Sequence, residues 1–410
     1  MRHTLRIAGE SGKGILSMEH MLTRALKKLG FYLHADREYP SLIKGGHSMV
    51  QIDFADHPIH SLSTRVEVVL ALDSPGLLEY WRDVQRWGVV IHPFPRHDKV
   101  KGLHEEAAKK GVHLVYIPAR EKAFEVAGTE LVTNMFMAGF LWKIYGFDQE
   151  VILDEVRAEF KSKPKMLELD LKCVNMGAKM EGDFGGATVK SDGKNGGEVD
   201  LGVTVPAIPA HPEWVVMDGN MALSLGAIAA GVRAYYAYPM SPASSILTYL
   251  AQFAGKTGMV VKQAEDEITA AEMVVGSMYA GTRALTATSG GGYDLMTETV
   301  SLAGMTETPM VVIVAQRPGP ATGLPTWTAQ GDLQLAIHAG HGEFPRLVVA
   351  VSDVDACYEL LQHAFNYAEV YQIPVVVLTE KQIAESIFMT APFKANLVKI
   401  ERGLVTAADE

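Results

Sequence analysis

Two stretches in which short apolar runs alternate with amphipathic ones, set apart by a polar segment over 161–212, constrain this 410-residue chain most. Strand–helix alternation of this sort implies a mostly parallel sheet covered on both faces. In the first stretch residues 5–8 read as a strand. Residues 13–29 place Ile15, Leu16, Met18, Met21, Leu22, Ala25, Leu26 and Leu29 at helical spacing, and Gly30 suits a C-terminal cap. Further strands are expected at 48–54, 66–72, 89–92 and 113–116, with helices at 75–85, 130–145 and 148–160. The segment 161–212 is rich in Gly, Lys and Asp and carries Pro206, Pro209 and Pro212, so it reads as a linker.

The second stretch repeats the alternation. Helices are expected at 220–230, 242–254, 265–280 and 353–370. Strands are expected at 233–237, 259–262, 283–286, 310–315, 348–351 and 374–378. The fold class is therefore α/β, with two open doubly wound domains at 1–160 and 213–390, the long polar linker between them, and a tail at 391–410. No internal repeat joins the two halves.

Composition narrows the function. The formal net charge is −11 and no Lys/Arg stripe is present, which argues against nucleic acid as a partner. Two cysteines, Cys173 and Cys357, allow neither a disulfide framework nor a four-thiolate iron–sulfur cluster. Both read as structural, and no metal site is expected in this chain. The N-terminal residues contain no apolar signal-peptide core, and no apolar run reaches the ~18–20 residues that span a bilayer. A cytoplasmic location is the expectation.

Several loops carry chemistry. Gly9-Glu10-Ser11-Gly12-Lys13-Gly14 lies between a strand and a helix, where unpaired N–H groups can face an anion. Gly14 after Lys13 rules out a Walker A loop, and the spacing is not Gly-x-Gly-x-x-Gly. A tight turn and a phosphate contact through Gly12 and Lys13 both remain open. Tyr39–Ser48, with Lys44 before Gly45-Gly46, is either a loop held near a ligand or a surface turn.

Tyr238-Pro239-Met240-Ser241-Pro242 follows a strand, where open α/β sheets keep their ligands. Pro242 suits a helical first turn and Ser241 its N-cap. Glu265-Asp266-Glu267 opens a helix, and acids there oppose the helix dipole. Glu267 also precedes a small apolar face, Ala270, Ala271, Val274, Val275 and Gly276. Burial disfavours the charged form of a carboxyl group, and a neutral carboxyl can donate to a ring nitrogen. Thr288-Ser289-Gly290-Gly291-Gly292 and the long Gln316–Leu333 loop, with Arg317 and Thr322, follow buried strands. Arg is the side chain best shaped for a substrate carboxylate.

Taken in order, Tyr-Pro-Met-Ser-Pro, Glu-Asp-Glu-Ile, Ala-Thr-Ser-Gly-Gly-Gly and Gln-Arg-Pro-Gly-Pro-Ala-Thr-Gly-Leu-Pro-Thr resemble the pyrimidine-binding domain of 2-oxoacid:ferredoxin oxidoreductases. Gly-Glu-Ser-Gly-Lys-Gly and Glu-Tyr-Pro-Ser-Leu-Ile-Lys-Gly-Gly-His-Ser resemble that family's gamma domain. The resemblance implies an alpha subunit with a fused gamma domain, of the kind that acts on 2-oxoglutarate or a range of 2-oxoacids. It implies CoA-dependent oxidative decarboxylation with reduction of ferredoxin, with the direction of flux left open.

Residue by residue, the resemblance gives Glu267 the hydrogen bond to N1′ of the thiamine pyrimidine, as catalytic and cofactor-binding residue. It places Tyr238, Pro239, Ser289 and Gly290 at the cofactor. Arg317 is given the substrate carboxylate, with Ser241 and Thr322 beside it. Gly12, Lys13 and Lys44 are candidate contacts for coenzyme A or phosphate. Ser241 stands where relatives have Thr, and Trp327-Thr328-Ala329 stands where a more polar run is expected. Relatives also continue into a further domain beyond the region of Ile387.

No Gly-Asp-Gly followed by Asn, the metal–diphosphate signature of thiamine enzymes, is found in the sequence. The resemblance assigns that motif, Mg2+ and a [4Fe-4S] cluster to a beta subunit, in a heterodimer or a dimer of heterodimers. Thiamine diphosphate is then shared between chains. A non-catalytic assembly or regulatory subunit with the same fold is the competing reading. A nucleotide-binding oxidoreductase built on the Gly9–Gly14 loop is weaker still, because it lacks the fingerprint spacing.

Overall fold

The structure, a computed structural model, describes residues 1–40, 46–95, 102–180, 182–183, 188–189, 203, 205–206 and 211–403. Contacts divide the chain into two compact units, Met1–Trp214 and Val215–Glu410.

The first unit contains β1 (Arg2–Glu10), α1 (Ile15–Lys28), β2 (Tyr32–Glu38), β3 (His47–Ala55), β4 (Val66–Ala71), α2 (Ser74–Tyr80), β5 (Val84–His92), α3 (Leu103–Lys110), β6 (His113–Tyr116), α4 (Ala119–Ala127), α5 (Thr133–Ile144), α6 (Gln149–Glu159) and α7 (Pro164–Ala178). A short antiparallel pair follows, β7 (Gly182–Asp183) and β8 (Thr188–Val189). The strands of the main sheet run in the order β6-β5-β4-β1-β3-β2. β1, β4, β5 and β6 are parallel neighbours, whereas β3 is antiparallel to both β1 and β2. The sheet is thus mixed, with parallel pairing along β1-β4-β5-β6 and β3 as its antiparallel member. β2 escaped the sequence pattern because His34, Asp36 and Arg37 interrupt its apolar residues; its pairing with β3 makes it a strand.

Two further differences have local causes. The helix expected over 75–85 ends at Tyr80, because a single 3-10 turn at Trp81–Asp83 delivers the chain into β5. The expected linker begins with a fifteen-residue helix, α7. Its Cys173 and Val174 are fully buried. Glycines let α7 lie directly on α5: a Cβ at Gly139 would stand 2.1 Å from the Val174 carbonyl oxygen, and one at Gly177 would stand 2.0 Å from that of Phe136. A helix held by backbone approach needs few large apolar side chains, so composition alone hid it. Burial pushes the Cys173 thiol up to about 11, which keeps it inert.

The second unit contains β9 (Val215–Asp218), α8 (Gly219–Ala229), β10 (Ala234–Ala237), α9 (Ser244–Thr257), β11 (Val260–Gln263), α10 (Glu267–Tyr279), β12 (Ala284–Thr288), α11 (Gly290–Leu295), α12 (Thr297–Met305), β13 (Met310–Gln316), α13 (Leu333–His338), β14 (Leu347–Ala350), α14 (Val354–Tyr371), β15 (Pro374–Glu380), α15 (Lys381–Glu385) and β16 (Ile387–Thr390). Strands β11-β10-β12-β13-β15-β14 form one parallel sheet.

Strand alternation splits the core in two. Val311, Ile313 and Ala315 join a cluster with Leu223, Ile246, Leu361 and Phe365. Met310, Val312 and Val314 join another with Val274, Met278, Tyr293 and Val300. A period-two strand with both faces apolar has to be covered on both sides, which is the doubly wound arrangement. The strand order reverses at β10, whose neighbours are β11 and β12. Open sheets of this kind bind ligands beyond the carboxyl ends of the strands at such a switch point.

Candidate functional site

Four loops leave the carboxyl ends of β11, β10, β12 and β13, and the residues singled out in the second unit lie on them. After β11, Asp266 caps α10: its side chain accepts from the Thr269 N–H at 2.7 Å. That bond lowers the Asp266 carboxyl below its usual range, with no loss of exposure to solvent. Glu265 precedes the cap and is exposed. Glu267 is the first helical residue and is 4% exposed. Its Oε1 is buried and has no hydrogen-bond partner among the described residues.

The glycine loop after β12 makes this burial possible. A Cβ on Gly292 would meet Thr288 Oγ1 at 2.0 Å and Glu267 Cγ at 2.8 Å. Gly290 is packed in the same way against another acid, since a Cβ there would meet Asp332 Oδ2 at 2.3 Å. Ser289 is fully buried and its hydroxyl donates to Met240 Sδ at 2.5 Å. The loops after β10 and β12 are thereby joined.

The Tyr238–Ala243 segment corrects one expectation. Ser241 does not cap a helix: α9 begins at Ser244, and its N-cap position is Ala243, with no side-chain bond. The Ser241–Pro242 peptide is cis. Ser241 instead offers its carbonyl, which accepts from Arg317 Nη1 at 2.7 Å. Arg317 follows β13 and is 9% exposed. Burial lowers its proton affinity, and the charges of Asp332 and Glu267 oppose that effect. Burial raises the Asp332 carboxyl, and the Arg317 charge opposes it.

The loops after β10, β12 and β13 surround a cavity of about 520 Å3 lined by Met240, Gly290, Arg317, Thr322, Asp332 and Leu335 among others, whereas Glu267, Ser241 and Ser289 are not part of that lining. The structure brings Arg317, Gly290 and Thr322 together there. Tyr238 and Pro239 are exposed on the β10 loop and are not part of that lining. Met240 and Asp332 were not singled out from sequence. An Asp before Leu333 signals a helix cap, and nothing in the sequence says that its carboxylate turns elsewhere.

In the first unit, Gly12 and Lys13 line a separate cavity of about 320 Å3 with Glu10, Asp73, Arg120 and Asn134. Asp73 shapes it, accepting from the Gly76 N–H at 2.7 Å and also from the Glu10 N–H. Gly14, at φ 78°, is the N-cap of α1 and leaves that helix start without a side-chain cap. Arg120 is paired with Glu130 at 2.6 Å. Lys44 lies outside the described residues.

Comparison with known proteins fits this layout. Residues 225–402 match the family described as pyruvate flavodoxin/ferredoxin oxidoreductase, thiamine diphosphate-binding, and residues 4–180 match pyruvate ferredoxin/flavodoxin oxidoreductase. The 2-oxoacid:ferredoxin oxidoreductase subunit alpha of a Sulfolobus species is 31% identical over 461 aligned positions, covering 100% of this chain and 70% of that one. The 2-oxoglutarate synthase subunit KorA of Methanocaldococcus jannaschii is 43% identical over 165 residues, covering 40% of this chain and 45% of that one. A solved 2-oxoglutarate:ferredoxin oxidoreductase from Magnetococcus marinus, with 2-oxoglutarate, coenzyme A and succinyl-CoA bound, has a TM-score of 0.84 at 29% identity. The match covers 100% of this chain and 68% of that chain.

Proposed function

The chain belongs to the family of 2-oxoacid:ferredoxin oxidoreductase alpha subunits, and on that footing we propose that it holds the pyrimidine end of thiamine diphosphate and the substrate carboxylate during CoA-dependent oxidative decarboxylation of a 2-oxoacid. The products are acyl-CoA and CO2, and the electrons pass to ferredoxin. The first substrate to test is 2-oxoglutarate, because relatives and the similar solved enzyme carry that name. Mg2+, the diphosphate motif and a [4Fe-4S] cluster belong to a beta subunit, in a heterodimer or a dimer of heterodimers.

One observation carries this reading: Glu267 Oε1 is buried without a partner among the described residues. Leaving a buried polar atom unpaired costs about 1–3 kcal/mol, and a hydrogen-bonding group on a bound cofactor would remove that cost. N1′ of an aminopyrimidine is such a group. When bound, thiamine diphosphate supplies a carbon nucleophile for the 2-oxo carbonyl and an electron sink after loss of CO2.

The chain's own residues do the rest. Glu267 holds a proton at N1′. The bare backbone of Gly292 lets the Glu267 carboxyl pack against the loop after β12, and Ser289, Tyr238 and Pro239 flank the cofactor. Arg317, steadied by the Ser241 carbonyl, takes the substrate carboxylate, a pairing strongest when bidentate. Thr322 adds a hydroxyl on the cavity wall. In the first unit Gly12, Lys13 and Lys44 serve the phosphates of coenzyme A.

The test is calorimetric titration of thiamine diphosphate with Mg2+ into the chain alone and into its complex with the beta subunit, followed by a panel of 2-oxoacids. Binding and turnover only in the complex are expected. A complex that assembles yet binds no thiamine diphosphate overturns the reading in favour of a non-catalytic assembly subunit.

A further inference from the structure

Asp332 stands at the N-cap of α13, yet its side chain makes no cap bond. The other aspartates at helix N-caps in this unit behave ordinarily. Asp218 accepts from the Met221 N–H at 2.7 Å, Asp266 from Thr269 at 2.7 Å, and Asp353 from Ala356 at 2.8 Å. The Asp332 carboxylate turns instead onto Gly290, where all three of its outer atoms would lie within 2.6 Å of an added Cβ. Its own N–H is fixed by Gln316 Oε1 at 3.0 Å, one residue before Arg317. Oδ2 is buried and has no partner among the described residues. The group lines the same cavity as Arg317.

The charges on that wall are unequal. Among the described residues that line the cavity, Arg317 is the one cation, against Asp294 and Asp332. Asp294 is exposed, so solvent screens it. Asp332 is half-buried, close enough to Arg317 for each to feel the other's charge. One guanidinium satisfies one carboxylate. A second anionic group on the substrate would enter a cavity whose remaining fixed charge is negative.

We infer that Asp332 is a specificity-determining residue, a fixed anion beside Arg317 that admits the carboxylate of a 2-oxoacid and disfavours a second anionic group on the same substrate. This rests on the reading of Arg317 as the carboxylate site. Asp332 shifts the balance between dianionic and monoanionic 2-oxoacids toward the monoanionic ones, and so broadens the substrate range.

The experiment uses the complex with the beta subunit and compares kcat/KM for 2-oxoglutarate with kcat/KM for 2-oxobutyrate. Asp332→Asn keeps the shape and removes the charge. The ratio should rise about tenfold in favour of 2-oxoglutarate, as expected for one charge removed a few ångströms from another at a partly buried site. Asp294→Asn, at the exposed acid, should leave the ratio within about twofold. If Asp332→Asn does not fold, Asp332→Ala serves in its place. A purely structural role would lower both kcat/KM values together and leave the ratio unchanged, and that result overturns the inference while the functional reading stands. A wild-type complex that turns over no 2-oxoacid overturns both.

Discussion

Gly292 lies directly against Glu267: a Cβ on the glycine would stand 2.8 Å from Glu267 Cγ and 3.0 Å from Oε1. The same atom would be 2.0 Å from Thr288 Oγ1. The small residue is what allows a carboxyl group to be buried at the start of α10 with one oxygen unpaired. Gly292→Ala should therefore displace Glu267. Overpacking of this kind costs about 1–3 kcal/mol. A lower Tm is expected, together with at least about tenfold weaker thiamine diphosphate binding in the assembled complex. Unchanged binding in a folded variant would remove the Glu267 carboxyl from the cofactor site.

Glu267→Gln keeps the shape and a hydrogen bond but loses the transferable proton. The complex should assemble and bind thiamine diphosphate, yet turn over about 10²-fold more slowly, the usual scale for a lost acid–base group. Glu265→Gln, at an exposed position before the helix cap, should have little effect. Hydrogen–deuterium exchange at thiamine C2 locates the defect. Normal exchange in Glu267→Gln rules out the proposed role, whatever the overall rate.

Arg317→Lys should raise KM for the 2-oxoacid strongly, with the larger effect on KM than on kcat. A point ammonium cannot reproduce a guanidinium that reaches a carbonyl and a carboxylate at once. The bond from Arg317 to the Ser241 carbonyl, at 2.7 Å, already uses one donor to aim the group. If KM is unchanged in a folded, cofactor-loaded variant, Arg317 only ties its own loop to the β10 loop.

Asp170, on α7, is 2% exposed, and its Oδ2 has no partner among the described residues. Burial pushes its carboxyl up to about 6 from an ordinary 3.8. The folded state thus binds more protons than the unfolded chain between those two values. Stability contributed by this group falls as pH rises through that window and stays low above it. Asp170→Asn should raise Tm at about pH 7.5, and the gain should shrink below about pH 6 and vanish below about pH 4. Paired Tm curves of both proteins across this range check it. A gain independent of pH would mean that the carboxyl charge is not its source.

Much of the second unit is legible along the sequence. The alternation of apolar runs locates β10, β12, β13 and β15 to within a few residues, because a strand buried on both faces must be apolar at every position. Loops that follow such strands are rich in Gly, Pro and polar residues, so Glu267, Arg317 and Ser289 stand out as candidates. Ser241 misleads because Ser-Pro is a good local helix start, and the actual start two residues later depends on the path between β10 and α9. In the first unit, β2 is hidden by charged residues that its partner strand tolerates. The helix α7 is hidden because Gly139 and Gly177 give backbone contact in place of large side chains.

The sequence by itself determined the α/β class, the loops that carry chemistry and the order of motifs that identifies the family. All of these follow from local periodicity and from residue types in a fixed order. Only the tertiary structure decided which side chains meet. It sets Gly292 under Glu267, turns Asp332 away from its own helix onto Gly290, and aims Arg317 at the Ser241 carbonyl. These contacts join residues separated by 25 to 76 positions. Their geometry depends on the strand order at the switch point, which no local pattern encodes.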